Sequence, residues 1–541
     1  MKVVCIVDKV GTALDRLAKG VAKYHDNINY VVCDFHPKRP DQAQIERLKR
    51  ELADADIIDA QYFRSIEKIR EMFPEVKKIK TILTANNPYS IEESDWNTYD
   101  MNVGNNEYIT KRLKEITQRP VEYIPITVDT DFWTFNPDWK FNAKVNSNNG
   151  YEFKNETLPP AVLMVANRIE SKKGILPVAI ACAELKVKFI LVGAISDMNY
   201  MQSIMATGGD VEFHEQISDE ELRNLYYRST VHVCNSVDNF ESGTMPVLEA
   251  MLCGVPVLAR SVGHVPDLYN GENMVLLEGV PEDVQGIQDK LHDLISDKKK
   301  LSELREKAWQ TAKSRSFERR AYMYQKLYRE VQYPDQTPVS VVVPICGNPE
   351  VVRKCLNAIA EQTYKNIEVI ISDDGGNENY YEDFGKYVDF PVRYMSTAAD
   401  YPAQEYGLAR ARNEATIEAT GDVIVYCDQR MIMEPTAIEE FLKRLAPSIW
   451  LYGNKGGKKE FVENFSCVYR NEIIQAGLFN ERITAYGGMS QETRARWRMQ
   501  GRRTEYTESA KAIPTGKSSN RNRKRAEIIK MKNRLFKMDL A

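Results

Sequence analysis

The sequence predicts an α/β protein built as three successive units, each a parallel sheet covered by helices, and three observations predict it. Short Val- and Ile-rich runs, the mark of buried strands, alternate with longer amphipathic stretches almost from end to end. The alternation restarts twice, after the Asn-rich residues 141–160 with Pro159-Pro160 and after Tyr333-Pro-Asp-Gln-Thr-Pro338. A chain of 541 residues is also several times the usual domain length. The boundaries that follow are 1–155, 156–332, a linker at 333–338, and 339–541.

In the first unit the strand candidates are 3–7, 30–33, 57–60, 79–84 and 121–124, with helical periodicity at 42–53 and 66–73. The second unit offers strands at 161–166, 189–193, 211–214, 231–235, 255–259 and 274–277, then a helical tail from 282 to about 332. The third offers 339–344, 367–372, 392–396 and 423–427.

Composition narrows the function classes. With 43% hydrophobic and 28% charged residues the chain has the make-up of a folded globular protein. No apolar run approaches the roughly 20 residues that span a bilayer, and Met1-Lys-Val-Val-Cys-Ile-Val-Asp8 reaches charge too soon for a signal peptide. A cytoplasmic enzyme without a membrane span is expected. Nine scattered cysteines, with no Cys-x-x-Cys pair, read as reduced packing residues. A net charge of −4 gives no general attraction to polyanions, yet residues 491–541 carry 15 basic and 5 acidic side chains.

Asn239-Phe-Glu-Ser-Gly-Thr-Met-Pro-Val-Leu-Glu-Ala-Met-Leu-Cys-Gly-Val-Pro-Val-Leu258 carries the most chemistry. Glu241 falls in a Ser242-Gly243-Thr244 loop and Glu249 inside a helix starting near Met245. A helix N-terminus offers unpaired N–H groups to a diphosphate. Carboxylates accept hydrogen bonds from sugar and ribose hydroxyls.

This Glu-x7-Glu followed by Ala-Met-x-Cys-Gly-Val-Pro-Val resembles the donor site of retaining family 4 glycosyltransferases of the GT-B fold. Ile124-Pro-Ile-Thr-Val-Asp-Thr-Asp-Phe132 is similar to that family's inter-domain segment, and Val165-Ala-Asn-Arg-Ile-Glu-Ser-Lys-Lys-Gly174 to its Gly-Arg-x-x-x-x-Lys-Gly motif, with Asn167 in place of Gly. The resemblance covers about residues 1–332 and implies two Rossmann-like domains. It also implies a nucleotide-sugar donor whose diphosphate is neutralised by Arg168 and Lys173 without metal, with Glu241 as a catalytic-site carboxylate. Glu249, Ser242, Gly243, Thr244 and the loop glycine Gly11 would then bind the donor. The family's His after the fourth strand is missing from Thr84-Ala-Asn-Asn-Pro-Tyr89, which leaves room for a pentose as well as a hexose. Asn86 there is equally a natural turn residue, and His264 reads as a loop residue.

The third unit resembles the start of a family 2 glycosyltransferase with a GT-A fold. The resemblance is carried by Val339-Ser-Val-Val-Val-Pro-Ile-Cys-Gly-Asn348, Ile367-Glu-Val-Ile-Ile-Ser-Asp-Asp-Gly-Gly376 and Gly407-Leu-Ala-Arg-Ala-Arg-Asn413. It implies that Asp373 or Asp374 contacts the nucleoside and that Asp428 belongs to an Asp-x-Asp that holds Mn2+ or Mg2+. That motif reads Asp428-Gln-Arg430 here, and the expected catalytic pair falls on Met489-Ser490, with Glu492 the nearest carboxylate. Metal-dependent catalysis therefore competes with a remodelled metal-free site, an acceptor-binding module and a structural domain. The functional expectation is a glycosyltransferase acting on a glycan acceptor. The alternatives are glycosylation of a modified base in DNA, with the basic C-terminal domain, including Arg494–Arg498, Arg502-Arg503 and Lys517-Ser-Ser-Asn-Arg-Asn-Arg-Lys-Arg525, engaging nucleic acid, and a bifunctional transferase with both sites active.

Overall fold

A computed structural model describes residues 1–25, 28–137, 143–145, 151–153, 160–237, 244–346, 349–374, 384–396, 407–457, 459–483 and 488–515. The chain divides into two compact units, one of residues 2–24 with 30–324, the other of Met1 and 25–29 with 325–541.

The first unit holds two sheets. Strands β1 (Lys2–Val7), β2 (Asn29–Asp34), β3 (Ile57–Ala60), β4 (Lys80–Ala85), β5 (Met101–Gly104) and β6 (Val121–Tyr123) lie in the order β2-β1-β3-β4-β5-β6. From β1 to β6 the pairing is parallel. Helices Ala13–Ala22, Gln42–Leu52, Phe63–Met72 and Glu107–Ile116 connect them. Their starts are set locally: Asp41 and Gln44 form a reciprocal capping box, and Asn106 accepts from Ile109 N–H at 2.7 Å. Strand β5 escapes sequence reading because Met-Asn-Val-Gly is short and carries a polar residue. Asn102 is tolerated in this buried strand because its Nδ2 donates to Trp96 O at 3.0 Å.

After a short antiparallel pair, β7 (Ala143–Val145) and β8 (Tyr151–Phe153), comes the second sheet. Strands β9 (Ala161–Ile169), β10 (Lys188–Ile195), β11 (Val211–His214), β12 (Val231–Cys234), β13 (Val257–Arg260) and β14 (Val275–Leu277) are ordered β11-β10-β9-β12-β13-β14, all parallel. Three helices, Val284–Ser296, Lys298–Ala312 and Phe317–Gln332, form the tail. The last begins against the first sheet, where Arg320 donates to Pro125 O at 2.5 Å and the Tyr324 hydroxyl lies 2.6 Å from Thr84 Oγ1.

The second unit contains an eight-stranded sheet: β15 (Val339–Ile345), β16 (Ile367–Asp373), β17 (Val392–Ser396), β18 (Val423–Cys427), β19 (Met431–Met433), β20 (Ile449–Lys455), β21 (Phe465–Tyr469) and β22 (Arg503–Pro514). Their order is β17-β16-β15-β18-β21-β20-β22-β19. The expected parallel arrangement holds for β15 to β18 and for β20 with β22. Strand β21 runs antiparallel to β18 and β20, and β19 antiparallel to β22. Residues 333–338 are tied down: Asn366 Nδ2 donates to Gln336 O at 2.7 Å and the Tyr364 hydroxyl to Thr337 O at 2.8 Å. Beneath them Glu368 is buried between Arg393 and Arg329. Burial alone would raise its carboxyl, and the two guanidiniums reverse that and bring it down to about 2.

Up to Thr515 the basic end is part of the folded unit. Residues Met489–Met499 form a helix and Arg503–Pro514 a sheet strand. Arg496 donates to Leu478 O at 2.6 Å and pairs with Glu492 at 2.9 Å, while Arg502 donates to Glu472 O at 3.0 Å. These charges are spent inside the unit. Residues 517–525 and the amphipathic stretch 528–540 lie outside the described residues. All nine cysteines are free thiols, eight of them buried and Cys346 exposed. Among the described residues no helix is long and apolar enough to cross a membrane.

Candidate active site

The C-terminal ends of parallel strands are where open α/β sheets take ligands. In the first unit β9 runs out at Ile169, a single turn Ser171–Lys173 follows, and Gly174 at φ +60° opens helix Ile175–Leu185. A side chain on Gly174 would fall 2.2 Å from Asn235 O, so the position needs glycine twice over. Asn235, just past β12, clamps the turn. Its Nδ2 donates to Gly174 O (2.8 Å) and Pro281 O (2.9 Å), and its Oδ1 accepts from Arg260 Nε (2.6 Å). Lys173, only 8% exposed, is thereby mounted on a fixed backbone.

Facing it, helix Met245–Leu252 starts at Thr244, which is buried and lies 3.5 Å through its hydroxyl from His264 Nε2. Burial holds the His264 imidazole down near 3, so the ring is neutral. Glu249 is buried on this helix and accepts from the Tyr226 hydroxyl at 3.0 Å. Burial pushes its carboxyl up to about 7, the Tyr226 hydrogen bond offsetting part of the rise.

Lys173, Asn235, Thr244 and Glu249 line one cavity of about 370 Å³. Ala13 and Arg16, from the helix after β1, complete it. Arg16 NH1 meets Asp219 Oδ1 at 3.2 Å across the mouth; both side chains are about half exposed, so the pair contributes little to stability. A buried cation, a helix N-terminus and a carboxyl acceptor around one cavity suit a ligand that is anionic at one end and hydroxyl-bearing at the other.

Not every sequence candidate converges here. Arg168 sits at the exposed end of β9, opposite Ala194, and is not part of the cavity wall. Gly11 is not part of it either, and its N–H donates to the buried carboxylate of Asp15 at 2.8 Å. Glu241, Ser242 and Gly243 lie outside the described residues. Asn86 is a turn residue, donating to Gln61 O at 2.8 Å and accepting from Asn105 at 3.1 Å. Sequence reading passed over Arg16, Asn235 and His232. His232 lines the cavity as a buried ring with an Nδ1 that no hydrogen bond satisfies. None stands in a motif; Arg16 looks like any helix-surface charge.

In the second unit the carboxylates gather past β16 and β18. Asp373 is buried and accepts from the Tyr394 hydroxyl at 2.9 Å. Asp374 accepts from Gly407 N–H (2.7 Å) and Arg410 (3.2 Å). Burial raises its carboxyl in spite of both. A side chain at Gly407 would strike Asp374, which accounts for glycine there. Asp428 pairs with the buried Arg412 at 2.5 Å.

Comparison with known proteins separates the same regions. Residues 151–313 match the family model described as glycosyl transferases group 1, and residues 340–447 the one described as glycosyl transferase family 2. Among curated relatives, glycosyltransferase GlyA of Streptococcus pneumoniae is 30% identical over 108 residues, 20% of this chain and 15% of that protein. The hyaluronan synthase of Pasteurella multocida is 33% identical over 130 residues, 23% of this chain and 13% of the synthase. The chain thus spans a small part of these relatives' length. Among solved structures, a glycosyltransferase from Rickettsia africae aligns with a TM-score of 0.47 at 16% identity, over 61% of this chain and 98% of that one. Anabaena HepE in complex with UDP-glucose aligns with 0.44 at 18%, over 60% and 99%. The chain carries a group 1, GT-B-type domain followed by a family 2, GT-A-type domain.

Proposed function

We propose that this chain of two glycosyltransferase domains transfers a sugar from a nucleotide-sugar donor to a glycan acceptor, with retention and without metal in its group 1 domain. The observation that carries the reading is the meeting in one cavity of Lys173, Thr244 and Glu249, all three within the group 1 match. The donor diphosphate lies against Lys173 and the N-terminus of helix Met245–Leu252, and Glu249 accepts from donor hydroxyls. As the bond from the anomeric carbon to the diphosphate oxygen breaks, charge develops where Lys173 is already fixed, so little reorganisation is needed. The acceptor hydroxyl bonds to the anomeric carbon on the same face, and its proton passes to the departing phosphate oxygen. Arg168 and Glu241 are assigned to this site by their place in the motif. A glycan is favoured over DNA because Arg496 and Arg502 are occupied within their own unit.

The full chain, incubated with uridine, guanosine, adenosine and thymidine diphosphate sugars in EDTA, should release nucleoside diphosphate from at least one donor, with mass spectrometry showing the sugar on a glycan. Release that stops in EDTA and returns with Mn2+ would overturn the metal-free reading, and a glycosylated DNA product the choice of acceptor.

The Glu249 carboxyl adds a pH signature. Ionised Glu249 accepts from donor hydroxyls better than the neutral acid, so KM for the donor should fall as pH rises through about 7. Glu249→Gln should flatten this dependence; a wild-type KM independent of pH between 6 and 8 would count against it. In the free protein the linkage has the opposite sense. The raised carboxyl favours folding below about 4.5, and that contribution is lost as pH climbs toward 7.

A further inference from the structure

Family 2 glycosyltransferases are expected to hold a divalent cation at Asp-x-Asp, and the side chains at this place do not fit one. Arg412, 1% exposed, already stands 2.5 Å from Asp428 and 2.5 Å from Glu463. Burial alone would weaken its hold on its proton, and the two carboxylates more than reverse that, so the guanidinium is itself the resident cation. The second Asp is Arg430, close enough for its charge to act on Asp428. Glu492 is taken by Arg496 at 2.9 and 3.2 Å. Among the described residues no three Asp, Glu, His or Cys side chains converge as a ligand set.

We propose that the C-terminal unit binds a nucleoside diphosphate without a divalent cation, with the Arg430 guanidinium taking the phosphates. Strand β15 has parallel neighbours β16 on one side and β18 on the other, which makes the ends of these strands the ligand crevice of the sheet. Asp374 and Arg430 stand there. The backbone around Arg430 is held on both sides. Thr515 N–H donates to Arg430 O at 2.7 Å, and the preceding Gln429 bonds Cys346 N–H at 2.9 Å and Cys346 O at 3.3 Å. Its half-buried guanidinium makes no hydrogen bond or ion pair among the described residues. A planar fork of donors carried on a held backbone matches phosphate oxygens two at a time. Buried Asp373 and partly buried Asp374 add acceptors for hydroxyl or base N–H groups, so the crevice pairs anion recognition with hydroxyl recognition.

The crevice shares no residue with the first cavity. The full chain carrying Ala13→Trp, an exposed lining position whose added indole obstructs that cavity, is titrated calorimetrically with uridine, guanosine, adenosine, cytidine and thymidine diphosphates in EDTA and again in Mn2+. One nucleotide per chain should bind with the same affinity in both buffers. Adding Arg430→Ala should weaken it by about 10-fold or more, the worth of a charge-assisted hydrogen bond, and Arg430→Lys should restore part. Circular dichroism of these variants should be unchanged, because Arg430 bonds only through its backbone. Binding that requires Mn2+, binding indifferent to Arg430→Ala, or no binding in either buffer overturns the proposal. The chain with Ala13 unchanged should bind a second nucleotide; a single one would instead count against the first cavity and leave this result standing.

Discussion

Replacing Lys173 by Ala should lower turnover of the nucleotide sugar by about 100-fold or more, with a much smaller change in KM. Lys173 is nearly buried, on a turn fixed by Gly174 and the Asn235 clamp, so its charge does not have to be gathered when the diphosphate departs. An interaction that strengthens as charge develops lowers kcat rather than ground-state binding. Lys173→Arg tests geometry separately from charge, since the bulkier fork must fit the same walls, and it should recover only part of the loss. Asn235→Ala should reproduce a milder version, because the turn loses its hydrogen bond at Gly174 O while the lysine stays. Full activity in Lys173→Ala, measured as nucleoside diphosphate released, would remove the group 1 cavity as the transfer site.

How far the sequence carries this reading differs between elements. Strands 57–60 and 423–427 read directly because each is a short, largely apolar buried run inside its sheet, 211–214 and 392–396 read at the sheet edges from their Val, Phe and Tyr residues, and the structure places all four at those residues. Strand β22 does not read that way. Arg503–Pro514 alternates Glu, Lys and Thr with small residues, and only its fixed place beside β20 makes it a strand. Local propensity says little when neighbouring strands supply the hydrogen bonds. At the site, Lys173, Thr244 and Glu249 stand in a spaced motif and so were visible. Arg16 reaches the cavity from a different sheet, and Asn235 acts through backbone carbonyls distant in sequence. Such partners are set by tertiary contact alone. Asp428 marks the other limit: a motif position was found, and its chemistry was decided by Arg412, whose role no spacing rule gives.

Arg412→Ala should destabilise the C-terminal unit by about 3–5 kcal/mol, the usual cost of removing one partner from a buried ion pair. Arg412 is 1% exposed and Glu463 3%, and the guanidinium also lies 5.4 Å from the centre of the Phe479 ring. Without it Glu463 must be desolvated with no cation, or take up a proton at neutral pH, and both outcomes weaken the fold around β18 and β21. Hydrogen exchange can localise the effect. Amides of Val423–Cys427 and Phe465–Tyr469 should lose protection, while strands of the first unit keep theirs. The double variant Arg412→Ala/Glu463→Ala separates orphaned charge from lost packing. If the buried carboxylate is the cause, removing it as well should return a large part of the stability, and the two single costs should fail to add. A cost below about 1 kcal/mol for Arg412→Ala, or strict additivity in the double variant, would show that the pair is not the organising charge of this unit. The same cycle bears on metal: with Arg412 gone and Glu463 kept, Asp428 and Glu463 lose the guanidinium between them, and only then should Mn2+ compete for the two carboxylates.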